Sequence, residues 1–320
     1  MKALLIGVLS CMFFVVTFVL NRSMEMDGGN WLWSASLRFI FMTPFLVGIV
    51  WMRGNLKELF SEMRKNPLEW ITWSIVGFVL FYAPLTYVAA YGPGWLVAGT
   101  WQFTIVAGLL LAPLFLRVDG SRHAIQLRAL LISCIILTGV ILIQVQQADE
   151  LSAGALFIGA LPVIVAAFCY PLGNRKMMEL CGDRLDTFQR ILGMTLASLP
   201  VWLILSTIGL IQTGPPSSGQ VLQTFIVAVS SGIIATTLFF IATNSVRQDQ
   251  GKLAAVEATQ ATQVLFVIAG EALILSSPLP TGTASAGIGL IVVGIIIHTL
   301  NMRIAGRRVA VVAERSGNNR

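Results

Sequence analysis

Charged residues are scarce in this chain: Asp, Glu, Lys and Arg together make up 11% of its 320 residues. A soluble globular domain carries about 25% charged residues, because its solvated surface has to be covered with polar groups. Hydrophobic residues make up 56% of the chain, and the mean hydropathy is +0.81. This composition excludes a water-soluble globule and a disordered chain, and it predicts a polytopic membrane protein.

Cysteine and histidine, with their nucleophilic and metal-binding side chains, are also few: the whole sequence holds four Cys and two His. The cysteines Cys11, Cys134, Cys169 and Cys181 have no paired or metal-ligand spacing, so neither disulfide nor metal chemistry is indicated. The patterns HExxH, GxSxG and GxxxxGK[ST] are absent from the sequence. We therefore expect no enzyme activity, no metal and no cofactor.

Long apolar runs fill most of the chain. A helix needs roughly 20 mainly apolar residues to cross the hydrocarbon. Ten segments meet this requirement: 3–21, 31–52, 70–91, 94–116, 128–146, 152–173, 187–211, 220–246, 253–275 and 283–302. The connections between them are too short for a soluble domain. The predicted fold class is all-α, a polytopic membrane protein with ten transmembrane helices.

The basic residues are concentrated in alternate connections. Of the 21 Lys and Arg residues, 18 lie in one set of connections: the N-terminus, 53–69, 117–128, 174–186, 247–252 and the tail from Arg303. The opposite set holds only Arg22. We expect a multi-pass protein of the cell (inner or plasma) membrane. Because basic loops stay on the cytoplasmic side, both of its termini are expected in the cytoplasm. The net charge of +6 is then a topology signal, and no nucleic-acid partner is needed to explain it.

One connection has a helical pattern of its own. Within 53–69, the apolar residues Leu56, Leu59, Phe60 and Met63 recur at i, i+3, i+4 and i+7, with basic residues between them. This spacing favours a short amphipathic helix on the inner leaflet of the membrane. A solvated linker is the alternative.

The chain contains an internal repeat. Matching positions recur in order at a nearly constant offset: Asn21-Arg22 with Asn174-Arg175, Arg38 with Arg190, Gly77 with Gly232, 98–112 with 257–271, and Gly139 with Gly294. Each half has five spans, an odd number, so the second half enters the membrane from the opposite side. The predicted units are a first five-helix repeat (1–146), a second, inverted repeat (147–303) and a basic cytoplasmic tail (304–320). Inverted repeats are the architecture from which alternating access follows.

These features resemble a known superfamily. The 5+5 arrangement, Gly270-Glu271 and the segments Gly99-Thr-Trp-Gln and Ala258-Thr-Gln are similar to the drug/metabolite transporter superfamily, nearest to the bacterial family described as putative multidrug resistance efflux transporters. The resemblance covers residues 3–303 and implies a transporter. The small four-helix exporters of that superfamily carry an acidic residue in their first helix, where it binds cationic drug or protons. Segments 3–21 and 152–173 contain no Asp or Glu, so that route of proton-coupled cation export is not expected here.

Polar residues inside the spans are the candidates for a site. Arg38 lies seven residues into its span. An arginine at the centre of a membrane helix costs about 2.5–3.5 kcal/mol to insert. We therefore expect Arg38 either to contact an anion or to snorkel to the interface. Glu257, Gln260, Gln263 and Glu271 form a polar stripe along the ninth span. Glu257 is a candidate for substrate contact and proton coupling, or a rim carboxylate paired with Lys252. Glu271 is a candidate for proton coupling or a helix–helix contact.

Aromatic and amide residues extend this set. Trp101 and Gln102 in the fourth span, with Tyr82 in the third, are candidates to hold flat hydrophobic or cationic compounds by stacking and cation–π contact. Packing alone is the alternative. His298 could titrate near neutral pH and is a third candidate for proton coupling, or a hydrogen-bonded structural residue. Arg190, four residues after Asp186, is expected to pair with it.

The functional hypothesis is a secondary transporter, an exporter of drugs or small metabolites by alternating access. The alternatives are an exporter of amino acids or other carboxylates, with Arg38 holding the carboxylate, and a membrane scaffold without transport. The expected partners are a small-molecule substrate, protons as coupling ion and the lipid bilayer, with the chain a monomer or homodimer.

Overall fold

The structure is a computed structural model that describes residues 1–91, 94–115, 122–148, 153–274, 282–297 and 300. The described residues form helices in chain order, with no β-strand among them: α1 (Lys2–Met26), α2 (Trp31–Met52), α3 (Leu56–Lys65), α4 (Pro67–Ala90), α5 (Gly94–Thr100, Trp101–Phe103 and Thr104–Leu110), α6 (Leu127–Ala148), α7 (Ala153–Cys181), α8 (Thr187–Thr213), α9 (Ser218–Asn244), α10 (Gln250–Ala258, Thr259–Ala261 and Thr262–Ile274) and α11 (Thr283–Ile297). The all-helical prediction is thereby confirmed for these residues. Each of the ten predicted spans contains a helix.

Five of the helices are long and apolar enough to cross a membrane by themselves. They are α1, α2, α4, α8 and α9, each of 22 to 27 residues. Val97–Leu110, Leu127–Ile143 and Thr283–Ile297 form shorter apolar helices. The chain is therefore a multi-pass membrane protein.

Four helices contain local breaks in α-helical geometry. Residues Ile75–Val79 of α4 and Ala228–Ala235 of α9 are π-helical, and Trp101–Phe103 of α5 and Thr259–Ala261 of α10 are 3₁₀-helical. Such breaks locally change the direction of side chains and are frequent at functional sites. Each half of the sequence has one π-helical break in its third predicted span and one 3₁₀-helical break in its fourth.

The packing of the helices also recurs in the two halves. Helix α1 packs on α9 and α10, and α7 packs in the same way on α4 and α5. Helices α2 and α8 pack against each other. Helices α6 and α11 meet backbone to backbone, since a Cβ placed on Gly139 would lie 2.6 Å from the carbonyl oxygen of Gly287. The first predicted span of each half of the sequence therefore packs on the third and fourth predicted spans of the other half.

Contacts between the described connections lie at two ends of the bundle. At one end, ion pairs join connections that carry the basic residues: Arg53 with Asp186 (2.9 Å), Arg184 with Glu62 (3.0 Å) and Arg247 with Asp183 (2.5 Å). At the other end, the Trp33 indole donates to the Gly214 carbonyl, and the Gln220 amide donates to the Asn30 carbonyl. In these described contacts, connections rich in basic residues join one another, and connections poor in basic residues join one another.

The short helix α3 is present as predicted, but its surroundings differ from the prediction. Leu59 is fully buried, and Leu56 and Met63 pack beside it against the protein core, while Phe60 is 46% exposed. The expectation that the apolar face of this helix rests on lipid is wrong for most of that face. Trp70 of α4 and Gly193 of α8 fill the space beneath Leu59, so this helix is docked on the bundle.

Candidate functional site

A small cavity lies between helices of both halves. Its volume is about 20 Å³, which is room for about one water molecule. Its polar lining residues are Thr17, Arg38, Ser231, Gln260 and Gln263, and its rings are Phe14, Phe18, Phe81, Tyr82, Trp101 and Tyr170. We call this the central cavity. Five of the predicted substrate residues line it, namely Arg38, Tyr82, Trp101, Gln260 and Gln263.

Arg38 is the charged residue of this lining. Its side chain is only 2% exposed, so it does not snorkel to the interface. Its guanidinium carbon lies 4.0 Å from the ring centroid of Tyr82 and 5.6 Å from that of Phe39, which are cation–π distances. Its Nε has no hydrogen-bond partner among the described residues, and no ion pair joins Arg38 to them.

Tyr82 is fixed from both sides. Its hydroxyl accepts a hydrogen bond from Asn21 Nδ2 at 3.3 Å, and its ring packs edge-on to Phe39 at 5.7 Å. Phe39 is in turn stacked on Trp202 at 4.4 Å with an interplanar angle of 7°. This chain of rings holds one face of Tyr82 toward Arg38.

Three rings form a second wall of the central cavity. Phe81 lies 4.5 Å from Tyr170 and 5.0 Å from Trp101, and Trp101 lies 5.5 Å from Tyr170, centroid to centroid. All three are buried. The hydroxyl of Tyr170 has no hydrogen-bond partner among the described residues. We refer to Phe81, Trp101 and Tyr170 as the aromatic wall.

The two glutamines on α10 come together through the 3₁₀ turn. Gln263 Nε2 donates to Gln260 Oε1, and both side chains are 1% exposed. Gln260 Nε2 and Gln263 Oε1 have no partner among the described residues. One donor and one acceptor of this pair therefore remain available at the central cavity.

Gln102 and Glu257 are not among the residues that line the central cavity. Gln102 Nε2 donates to its own helix, to the carbonyl of Ala98 at 3.0 Å. Glu257 is buried and accepts two hydrogen bonds from Arg175, at 3.1 Å from Nε and 2.7 Å from Nη2. Arg175 Nη1 also donates to Gln250 Oε1 at 3.1 Å.

This buried ion pair corrects two expectations. Glu257 does not pair with Lys252, whose ammonium instead contacts Asp249 at 3.1 Å. Arg175 is not a loop residue, since it lies inside α7 and is 2% exposed. The pair is bidentate, and α5 approaches it closely through Gly108, where a Cβ would lie 2.0 Å from Glu257 Oε2.

Arg190 also differs from its prediction. Asp186 caps α8 through the backbone N–H of Gln189 and pairs with Arg53, so it does not pair with Arg190. Arg190 is 3% exposed and packs over the Phe240 ring at 4.6 Å. The remaining candidates for proton coupling, the Glu271 side chain and His298, lie outside the described residues, as does the tail 304–320.

Sequence reasoning missed several residues of this region. Phe81 and Tyr170 sit in apolar helices, where nothing distinguishes them from packing residues. Arg175 had two usable signals: it matches Arg22 in the repeat, and an intramembrane carboxylate such as Glu257 requires a partner.

Comparisons with known proteins identify a family and relatives that are similar to this chain. The family described as "EmrE: Putative multidrug resistance efflux transporter" matches residues 1–304. The chain is 58% identical over 306 residues to the uncharacterized protein YjlA of Bacillus subtilis (strain 168), across 93% of this chain and 94% of that protein. It is 57% identical over 264 residues to an uncharacterized 42.1 kDa protein of Shouchella clausii, across 81% of this chain and 69% of that protein.

A solved crystal structure is also similar. It superposes with a TM-score of 0.70 and covers 95% of this chain and 98% of its own, at 16% identity. At this level of identity the likeness concerns the fold alone.

Proposed function

Because the chain belongs to the EmrE-like multidrug resistance efflux transporter family, whose members are transporters and not enzymes, we propose that it is a secondary active transporter that exports drugs or small metabolites. In this proposal ten helices cross the cytoplasmic membrane and α3 lies beside them. The single observation that carries it is the central cavity, which is built by both halves of a chain of this family.

We propose that the two halves, 1–146 and 147–303, are inverted five-helix repeats. The paired packing of α1 on α9 and α10, and of α7 on α4 and α5, supports this relation. So do the π-helical and 3₁₀-helical breaks at corresponding places. Two halves of similar structure and opposite orientation have two states of similar energy, one open to each face, and exchange between them is alternating access.

The orientation is part of the proposal. The end where Arg53, Arg184 and Arg247 meet their carboxylates would face the cytoplasm, together with both termini and the tail 304–320. The end where Trp33 meets Gly214 would face outward.

The substrate would bind at the central cavity. Arg38, Tyr82, Trp101, Gln260 and Gln263 line it, and Gln102 lies next to Trp101 on the same 3₁₀ turn. Since the cavity has room for about one water molecule, the halves would have to move apart to admit a substrate. That movement is the opening that alternating access requires.

Protons are the proposed coupling ion, with Glu257 as the described carboxylate that could carry them. Its charge is held by Arg175, and Gly108 of α5 packs against the pair. Protonation of Glu257 would remove the attraction that joins α7 and α10 at this point. Glu271 and His298 are further candidates.

Flux measurements on proteoliposomes test the proposal. A panel of labelled compounds is measured for uptake and efflux with and without a proton gradient. We expect gradient-dependent movement of at least one compound by the native protein and by Arg184→Gln, a change at an exposed ion pair outside the cavity. Arg38→Ala should abolish it.

Coupling is tested separately from binding. Glu257→Gln should retain exchange of labelled for unlabelled substrate at equal pH and lose its response to the gradient. If no compound moves with the native protein, or if Arg38→Ala leaves flux unchanged, the assignment of this site is wrong.

A further inference from the structure

The central cavity has a positive charge with no countercharge. Among the described residues that line it, Arg38 is the one charged side chain, and no carboxylate faces it. The nearby carboxylate of Glu257 is engaged by Arg175 through two hydrogen bonds. Burying an unpaired charge is unfavourable, so the guanidinium is suited to an anionic partner.

The hydrogen-bonding groups of the cavity favour the same partner. Arg38 Nε and Gln260 Nε2 are buried donors without acceptors among the described residues. The hydroxyl of Tyr170 is also without a partner there and can donate. A carboxylate offers several acceptor sites and matches the planar fork of a guanidinium.

A cation is less well accommodated than an anion. The face of Tyr82 is covered by the guanidinium of Arg38 at 4.0 Å. The rings of the aromatic wall and Gln263 Oε1 could contact a ligand ammonium, but that ammonium would meet the like charge of Arg38, and the described lining holds no carboxylate to offset it.

The aromatic wall favours a ligand with a flat apolar group beside its carboxylate. Phe81, Trp101 and Tyr170 present buried ring surface on the side of the cavity that they line. Flat apolar groups pack favourably on such surfaces in offset or edge-to-face geometry.

We propose that the central cavity recognises an aromatic carboxylate, with Arg38 holding the carboxylate and the aromatic wall holding the ring. This inference rests on the proposed transport function and names its substrate class: small aromatic organic anions, in contrast to organic cations.

The test uses pairs of compounds that share a ring system and differ in charge. Phenylacetate is compared with 2-phenylethylamine, and indole-3-acetate with tryptamine, as ligands that raise the melting temperature of the purified full-length protein in detergent. We expect the two acids to raise it in a concentration-dependent manner and the two amines to leave it unchanged. Arg184→Gln, which removes a charge from the exposed Glu62 ion pair, should respond like the native protein.

Substitutions at Arg38 then assign the effect to this site. Arg38→Gln should abolish the response to both acids. Arg38→Lys keeps the charge but loses the planar fork, and should raise the acid concentration at half-maximal response about tenfold. If Arg38→Gln does not give a monodisperse protein, Arg38→Lys decides alone.

Three results would overturn the inference: neither acid stabilises the native protein, the amines stabilise it as well as the acids do, or an Arg38 variant responds to acids as the native protein does. Flux in proteoliposomes separates this failure from failure of the transport proposal. Flux of amines without acids would contradict only the substrate class, whereas binding of acids without flux of any compound would contradict only transport.

Discussion

The ion pair between Arg175 and Glu257 joins two helices at a point where neither charge reaches water. Both side chains are less than 5% exposed, and Gln250 satisfies a further donor of the arginine. Removing one partner of such a pair leaves the other as an uncompensated buried charge, and this costs about 3–5 kcal/mol. The pair is therefore a point of high sensitivity in the fold.

We expect Glu257→Gln to lower the melting temperature of the purified protein by an amount that corresponds to about 3–5 kcal/mol. The matched control is Glu179→Gln, which breaks the solvent-exposed pair with Lys176 and should cost about 0–1 kcal/mol. Fluorescence-detected size-exclusion chromatography after heating measures both. Equal melting temperatures for the two variants would show that the buried pair is energetically unimportant.

Sequence reasoning found some of these residues and not others for a physical reason. Arg38 and Gln263 were predicted because a polar side chain in an apolar run is conspicuous by its insertion cost. The partner of Glu257 was mispredicted, because the choice between Lys252 nearby in sequence and Arg175, 82 residues away, depends on packing. Arg190 was assigned to Asp186 by spacing, yet that carboxylate caps its own helix.

At the scale of helices, glycines set the closest approaches. Helices α4 and α7 meet at Gly77 and Gly173, where a Cβ on Gly173 would lie 2.3 Å from the Cα of Gly77. The obstacle is backbone, which cannot rotate away as a flexible side chain can. Gly48 in α2 offers a matched comparison, because a Cβ placed there meets nothing within 4 Å.

We expect Gly173→Ala to destabilise the protein by about 1–3 kcal/mol, the usual cost of overpacking. Gly48→Ala should be neutral or stabilising by up to about 1 kcal/mol, since alanine is the better helix former. Thermal melting of the two purified variants distinguishes them. A native-like melting temperature for Gly173→Ala would mean that α4 and α7 are not in backbone contact.

The docking of helix α3 depends on the carboxyl group of Glu62, which lies outside the membrane-spanning helices. Hydrogen bonds from Lys65 and Arg184 hold the pKa of Glu62 below its ordinary value of 4.5. A carboxyl group whose pKa is lowered on folding stabilises the fold above its ordinary pKa, and this contribution is lost as pH falls through the lowered value. We therefore expect hydrogen-exchange protection of α3, corrected for intrinsic rates, to be constant from neutral pH to about pH 4.5 and to decrease below it.

The control for this pH dependence is Glu62→Gln, which cannot titrate. Protection of α3 in that variant should be weaker at neutral pH and should not change with pH in the same window. If hydrogen-exchange protection of α3 in the native protein also does not change with pH in this window, Glu62 has no role in docking the helix.

For the whole molecule, the sequence predicted where the helices lie but not how they close around a site. Hydropathy alone located a helix at each of the ten spans, because insertion in lipid depends on composition. The central cavity depends on which faces of seven helices meet, namely α1, α2, α4, α5, α7, α9 and α10. Phe81 and Tyr170 therefore joined Arg38 only when the packing was known.

The proposed inverted repeat makes a prediction about the sidedness of two connections. The connections 53–69 and 212–219 both follow the second span of their half, so inversion puts them on opposite sides of the membrane. The distribution of basic residues agrees with opposite sides of the membrane, since the first connection holds four basic residues and the second holds none. In the structure, the first belongs to the end with Arg53 and Asp186, and the second meets Trp33 at the other end.

Single cysteines in the full-length chain test this directly. Asn66 and Ser218 are both exposed, and replacement of the four native cysteines by serine, including the exposed Cys134 and the half-buried Cys169, removes the competing thiols. In intact cells, a membrane-impermeant maleimide should label Ser218→Cys at once and Asn66→Cys only after the membrane is permeabilised. Labelling of both from the same side would exclude two inverted halves, and without inversion the two halves could not provide equivalent states open to opposite faces.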